Sequence, residues 1–199
     1  PRAGNVPHDV MTLSRVIGKK PPATAPPLVG LDFDDVPGWH AHEAQGLLLW
    51  FKGYLNGDSA EDLVRRLAVL PCGDWRQTVA SLDGHFALVA ALDDAVFAAV
   101  DRIASIPIFY GCGEDGWHVG GNARRLAVRL GLKLVNSNAA LALAMSGATI
   151  GPAMLLDRLE ALGAGETVIF EPGHEPRRWR YYLYLPHPDQ GISADDPGL

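Results

Sequence analysis

Only two of the 199 residues are cysteine, and Cys72 and Cys112 have neither CxxC spacing nor a neighbouring histidine pattern. That argues against a paired-thiol metal motif and leaves no disulfide framework to expect. Two free thiols in a reducing compartment are the expectation. No apolar run approaches the ~20 residues of a membrane-spanning helix. The first residues also lack the charged-then-apolar order of a secretory signal. The expected setting is therefore cytoplasmic, with no membrane partner. Basic charge is scarce as well: 17 Lys and Arg stand against 23 Asp and Glu, a formal net charge of −6. A phosphate-backbone partner would call for a basic face, so no nucleic acid is expected. A Gly-x-Ser-x-Gly nucleophile elbow is missing too. What is present is ordinary globular material, 48% hydrophobic and 20% charged, enough apolar surface for one core without covalent staples.

Element signals divide the chain into an irregular segment 1–27, one domain over 28–185 and a linker or tail over 186–199. Prolines 1, 7, 21, 22, 26 and 27 break the first segment, leaving Val10–Ile17 as a short amphipathic helix candidate. Leu28–Phe33 and Gly46–Phe51 read as strands from their apolar runs. Ser59 is an N-cap for a helix from Ala60 to Leu70, whose Leu63, Leu67 and Leu70 share a face. Asp74 can cap a second helix through Leu82, with Gly84 as its stop. Two hairpins follow, His85–Ala91 with Ala95–Val100 across Leu92-Asp93-Asp94, and Ile106–Tyr110 with Trp117–Val119. Asn122 caps Ala123–Leu130, Ser137 opens Asn138–Met145 and Gly147 closes it. Pro152 occupies the first turn of a predicted helix Ala153–Leu162. A last hairpin joins Glu166–Phe170 to Arg178–Tyr182. Strands and helices in separate blocks make the fold class α+β.

Chemistry-bearing residues are sparse. His40 and His42 would share one face of a strand, but no third ligand stands at a fixed spacing, so an exposed strand edge is the better reading and no metal is expected. His85, His118 and His174 occur singly. Cys72 lies beside Asp74, whose charge opposes a reactive thiolate, and Cys112 ends an apolar strand. Gly120-Gly121-Asn122 leads into a helix and could hold an anion, although hairpin ends explain those glycines better without a loop lysine. No cofactor is implied.

The order of four segments says more. Leu82-Asp-Gly-His-Phe-Ala-Leu88 resembles the L-x-G-x-F-A-F strand of class II glutamine amidotransferase domains. Asp101-Arg-Ile-Ala-Ser-Ile-Pro-Ile-Phe-Tyr110 is similar to their D-R-x-G-x-x-P-L-Y-Y. Gly116 to Leu126 resembles G-x-x-x-F-A-S-E-x-K-A-L, and Ala164 to Phe170 with the Arg/Trp/Tyr-rich strand after it is similar to the ending P-G…Y-W. The match runs in register over roughly residues 45–185 and points to the asparagine synthetase and β-lactam synthetase family.

That resemblance implies an Ntn-hydrolase-like αββα sandwich of two stacked antiparallel sheets flanked by helices. It predicts burial of Phe86, Leu88, Val96, Phe97, Ile108 and Phe109. In active members an N-terminal cysteine attacks the glutamine amide with its own α-amine as base. An arginine and an aspartate hold the substrate, and an Asn-Gly pair forms the oxyanion hole. Here residue 1 is Pro, no cysteine precedes Cys72, and the R-H-R-G-P-D segment has no counterpart in residues 1–45. The N-G-E-I-Y-N segment corresponds to Lys52-Gly53-Tyr54-Leu55-Asn56-Gly57, with lysine in the oxyanion position. Asp58 corresponds to the amine-binding aspartate or is an ordinary helix N-terminal charge, the second being favoured. The remnant-pocket candidates are thus Lys52, Gly53, Asn56, Gly57 and Asp58, with no catalytic residue. Asp101 and Arg102 form a structural family motif, with Arg102 expected on a carboxylate or on backbone carbonyls. The chain lacks a Ser-Gly-Gly-x-Asp-Ser loop, so ATP chemistry would belong to a synthetase domain or subunit, in cis or in trans. The implied function is a glutaminase-like domain without glutamine hydrolysis, acting as structural or partner domain to that synthetase. The alternative is a free-standing binding module with a remnant amino-acid pocket, and a homo-oligomer is possible in either case.

Overall fold

In the computed structural model the described residues are 29–184, apart from 35, 93, 94 and 150. The irregular segment 1–27 with its Val10–Ile17 helix, the tail 186–199 and the tip of the Asp93-Asp94 turn lie outside them. The elements run in the order β1 (Val29–Asp32), β2 (His40–Ala44), β3 (Leu47–Leu55), α1 (Ala60–Ala68), a 3-10 turn (Cys72–Asp74), α2 (Trp75–Ala80), β4 (Gly84–Leu92), β5 (Ala95–Val100), β6 (Phe109–Gly113), β7 (Gly116–Gly120), α3 (Ala123–Arg129), α4 (Ser137–Ser146), β8 (Leu159–Ala161), β9 (Glu166–Phe170) and β10 (Arg177–Arg180).

Two sheets result. Six antiparallel strands form the order β10-β9-β5-β4-β3-β2, and four form β1-β7-β6-β8. Side-chain alternation along the central strands explains how they stack, because successive residues point to opposite faces. On β4, Phe86, Leu88 and Ala90 face α1 and α2, packing with Leu63, Val64, Leu67, Trp75 and Val79. Ala87, Val89 and Ala91 face the other way, towards Val29, Leu31, Tyr110 and Val119 of the second sheet. β5 repeats the division, with Phe97 and Ala99 on the helix side and Val96, Ala98 and Val100 between the sheets. A third cluster of Leu126, Ala127, Leu132 and Leu159 seats α3 on the outer face of the four-stranded sheet. The layers are therefore helix, sheet, sheet, helix, the αββα order implied by the sequence. One pairing stands apart from the antiparallel pattern: β1 runs parallel to β7, Val29 opposite Trp117 and Asp32 opposite Gly120.

Local chemistry explains most boundaries. Ser59 caps α1 by accepting from the Asp62 N–H at 3.1 Å. Trp75 Nε1 donates to the Leu67 carbonyl at 2.9 Å, locking α2 against the end of α1. Asp74 makes no side-chain cap bond, and α2 ends at Ala80, short of Leu82. Asn122 caps α3 and Asn136, rather than Ser137, caps α4. The second hairpin starts at Phe109, not at Ile106, and Phe109 is half-buried against α3 while the other five expected core residues are buried.

The predicted helix Ala153–Leu162 does not form. Leu159–Ala161 is instead β8, lying along β6 with Tyr110 opposite Glu160. Ala153 bridges to Glu160, and Arg158 turns the chain back with a φ of 63°. Pro152 at a first-turn position suggested a helix start, but a favourable first residue does not by itself make a helix. Pairing with the open edge of β6 satisfies backbone groups that a helix would have left unpaired there, and tertiary context overrides propensity. The end of the sandwich is closed by Tyr110, which donates to Glu160 at 2.6 Å while Arg178 of β10 bonds both, at 3.0 Å and 2.9 Å.

Candidate functional site

β3 presents Trp50 and Lys52 on the side that faces the second sheet, opposite Leu49 and Phe51, which pack under the helices. Lys52 reaches the loop between β1 and β2, where its Nζ donates to the Pro37 carbonyl at 2.7 Å. Beside that contact lies an open pocket of about 560 Å³, lined by Phe33, Asp34, Val36, Pro37, Gly38, Trp39 and Trp50. An aromatic cluster backs it: the Phe33 ring centroid is 4.4 Å from that of Trp39 and 5.7 Å from that of Trp50, with Phe33 and Trp39 themselves buried. Among the described residues the buried Trp50 Nε1 has no hydrogen-bond partner. The end of β1 is held by Arg125 of α3, which donates to Asp32 Oδ1 at 2.9 Å and to the Asp34 carbonyl at 2.7 Å.

The other four remnant-pocket candidates turn elsewhere. Gly53 has a φ of +112°, and a Cβ there would collide with the His85 carbonyl, so β3 and β4 approach closely at this point only with glycine. Asn56 bonds Asp83 twice, through its N–H at 2.8 Å and its Nδ2 at 2.9 Å. Gly57 takes a left-handed turn with φ of 74°. Asp58 accepts from the Ser59 N–H at 2.9 Å and from Arg66 of α1 at 2.6 Å. Lys52 thus bonds the β1–β2 loop, while Asn56 and Asp58 bond residues at the foot of α1 and before β4. A site that grips an amino acid needs its cationic, anionic and oxyanion groups to converge with free valences, and these side chains are engaged with other residues of the chain.

No nucleophile stands at the head of the first described strand. Val29 opens β1 and is 2% exposed, packed between the sheets. Cys72 sits in the 3-10 turn before α2, half-buried, and burial together with the Glu171 carboxylate pushes its thiol up to about 11. A thiol in that state is protonated near neutrality and is a poor nucleophile. Cys112 lies on β6, with its sulfur 3.6 Å from the Gly113 carbonyl.

The Asp101-Arg102 pair behaves asymmetrically. Asp101 is 1% exposed and follows β5. Its carboxylate accepts from the Phe86 N–H at 3.1 Å, the Ile103 N–H at 2.8 Å, the Ser105 N–H at 3.2 Å and the Ser105 hydroxyl. Its own N–H and C=O bond Phe86 and Gly165, so β4, the turn after β5 and the approach to β9 meet at one residue. Arg102 is 44% exposed, with Nη1 4.0 Å from Asp83 Oδ1 and its guanidinium 5.3 Å from the Tyr182 ring centroid. Another buried polar group had been read only as a lone histidine. His118 bonds Asp115 through Nε2 at 2.9 Å and accepts from Arg129 Nε at 3.0 Å. Arg129 and Asp115 come from different elements, so no sequence spacing announced the set. The aromatic pocket was equally hidden, since Phe33, Trp39 and Trp50 are apart in sequence and meet only through the β1–β2–β3 path.

Among the described residues no group of three or more His, Cys, Asp or Glu side chains could hold a metal ion, and no helix is long and apolar enough to cross a membrane. His40 and His42 lie on β2, the outermost strand of the six-stranded sheet, where His42 Nδ1 is 3.3 Å from Glu61.

No family model and no curated protein matches the sequence. Among solved structures, the chain is similar to the glutamine phosphoribosylpyrophosphate amidotransferase of B. subtilis, at 16% identity and a TM-score of 0.46, over 75% of this chain and 32% of that one. It is also similar to an allosteric regulatory enzyme of purine biosynthesis, at 15% identity and a TM-score of 0.41, over 73% of this chain and 31% of that one. The chain spans about a third of the length of these neighbours.

Proposed function

We propose that this chain is a glutaminase-like domain of the class II glutamine amidotransferase type that does not hydrolyse glutamine. Its role is that of a structural or partner domain to an ATP-dependent, amide-forming synthetase of the asparagine-synthetase kind, carried in cis or in trans. Support comes from the ordered motifs of the sequence together with the αββα layering. The observation that carries the inactivity is Cys72, half-buried in the 3-10 turn before α2 with its thiol held protonated by burial and by Glu171, where a covalent mechanism needs an activated nucleophile with a base beside it. Lys52 in the oxyanion position and Asp58 paired to Arg66 point the same way. Incubating the purified chain with glutamine and following ammonia gives the test. Release at the buffer blank is expected. Release above it that disappears in Cys72→Ala or Cys112→Ala would overturn the proposal.

A second reading, a binding module with a remnant pocket, is favoured by one observation: the open recess beside Lys52, lined by Phe33, Asp34, Val36, Trp39 and Trp50 among others. Calorimetric titration of glutamine and asparagine separates the two. Heat that is lost in Lys52→Ala would favour the binding module. No heat at millimolar ligand is expected for the partner domain, because a carboxylate desolvated without a cationic partner free to meet it binds poorly.

A further inference from the structure

We propose that α4 and the segments flanking it form the contact face of a two-fold dimer of this chain. The helix Ser137–Ser146 buries only Ala139. Leu141 is 60% exposed and Met145 79%; one turn apart, they stand on the side of the helix away from Ala139. Leu134 (71% exposed), Val135 and Leu155 add exposed apolar surface at the N-terminal end of the helix, where the Asn136 N–H bonds the Leu155 carbonyl and Val135 bridges to Leu156. A helix of ten residues is marginal in water without a packed face. Its Asn136 cap and the left-handed Gly147 cap mark the ends cleanly, but they do not supply the missing burial.

Two features select a second copy as the occupant. From Leu134 to Leu156 no residue is charged, although the chain as a whole carries a net charge of −6. In an isologous contact each residue near the axis meets its own copy, so a charge there would face its like; a charge-free stretch is self-complementary without further provision. The exposed apolar area of Leu134, Val135, Leu141, Met145 and Leu155 is on the order of 550 Å², at the upper end of what a monomer leaves uncovered and a large part of the ~800 Å² per partner of a standard interface. Ala140 and Ala144 leave room for the helix backbones to approach.

Sedimentation velocity of the full chain from about 1 to 100 μM tests the proposal. The expected result is a concentration-dependent shift to twice the 21.3 kDa protomer mass. Leu141→Glu and Met145→Glu should each weaken association at least tenfold, because they bring like charges together across the axis while glutamate keeps the helix propensity. Val69→Glu, at an exposed apolar position after α1, should leave association unchanged. Near-ultraviolet circular dichroism of the buried tryptophans verifies that each variant is folded. A wild-type chain that stays monomeric throughout, or a dimer indifferent to both α4 variants, would overturn the proposal. So would a monomer whose α4 amides are protected from hydrogen exchange, since the face would then be covered by another part of the same chain.

Discussion

Replacing Asp101 by alanine should destabilise the fold far more than its position in a turn suggests. The carboxylate is buried and accepts three backbone N–H groups and the Ser105 hydroxyl. Hydrogen bonds to a charged group contribute ~1.5–3 kcal/mol each, and a buried donor left without a partner costs ~1–3 kcal/mol. The Ile103 and Ser105 N–H groups lie near the surface, where water can replace the carboxylate, so they should cost little. The Phe86 N–H is different, because β4 is central in the six-stranded sheet and the site is closed to solvent. Counting one fully orphaned donor and two largely compensated ones gives a loss of about 2–4 kcal/mol. Asp101→Asn keeps one acceptor oxygen and turns an amide NH2 towards a donor, so about 2–3 kcal/mol is expected. Urea denaturation followed by tryptophan fluorescence measures both, with the midpoint falling at unchanged slope. A loss below about 1 kcal/mol in Asp101→Ala would show that these bonds do not knit β4 to the turn after β5, and would refute the reasoning.

Two further outcomes follow from the packing and the thiol chemistry. Phe97→Ala, which empties the space beneath Trp75 at a ring-centroid distance of 5.8 Å, should cost about 3–5 kcal/mol by the same denaturation measurement. Cys72, with its thiol pushed up to about 11 by burial and by Glu171, should react with a thiolate-specific alkylating agent at pH 8 at least tenfold more slowly than a free cysteine. The sign is that of an acid held protonated: the rate should climb as pH rises towards 11, and a rate at pH 8 equal to that of unfolded protein would contradict the assignment.

The remnant-pocket candidates could be named before the structure because they are contiguous. Lys52 to Asp58 lie in one short segment, so the resemblance could set Lys52 against the family's oxyanion asparagine, and Asp58 could be seen directly before a helix. What each side chain does was not legible. Asp58 is paired to Arg66 by the geometry of α1, and Lys52 is bonded to Pro37 by a loop whose path depends on β2 folding back along β3. Arg102, expected on a carboxylate or on backbone carbonyls, approaches the Asp83 carboxylate at 4.0 Å, and the other oxygen of Asp83 holds Asn56. The stronger set of bonds went to its neighbour Asp101.

By itself the sequence determined the strands whose residues are apolar on both faces and the helices opened by a polar cap. β4 and β5 had to be buried twice over, and the caps at Ser59 and Asn122 needed only neighbours within three residues to act. Those are local preferences, fixed by side-chain size, alternation and hydrogen-bonding reach. Tertiary structure alone decided the rest. Leu159–Ala161 became a strand because the edge of β6 was there to be paired, and β1 ran parallel to β7 because a distant segment returned to its side. The clusters Tyr110–Glu160–Arg178 and Asp115–His118–Arg129 draw on separate elements, and their hydrogen bonds exist only once the fold has brought those elements together.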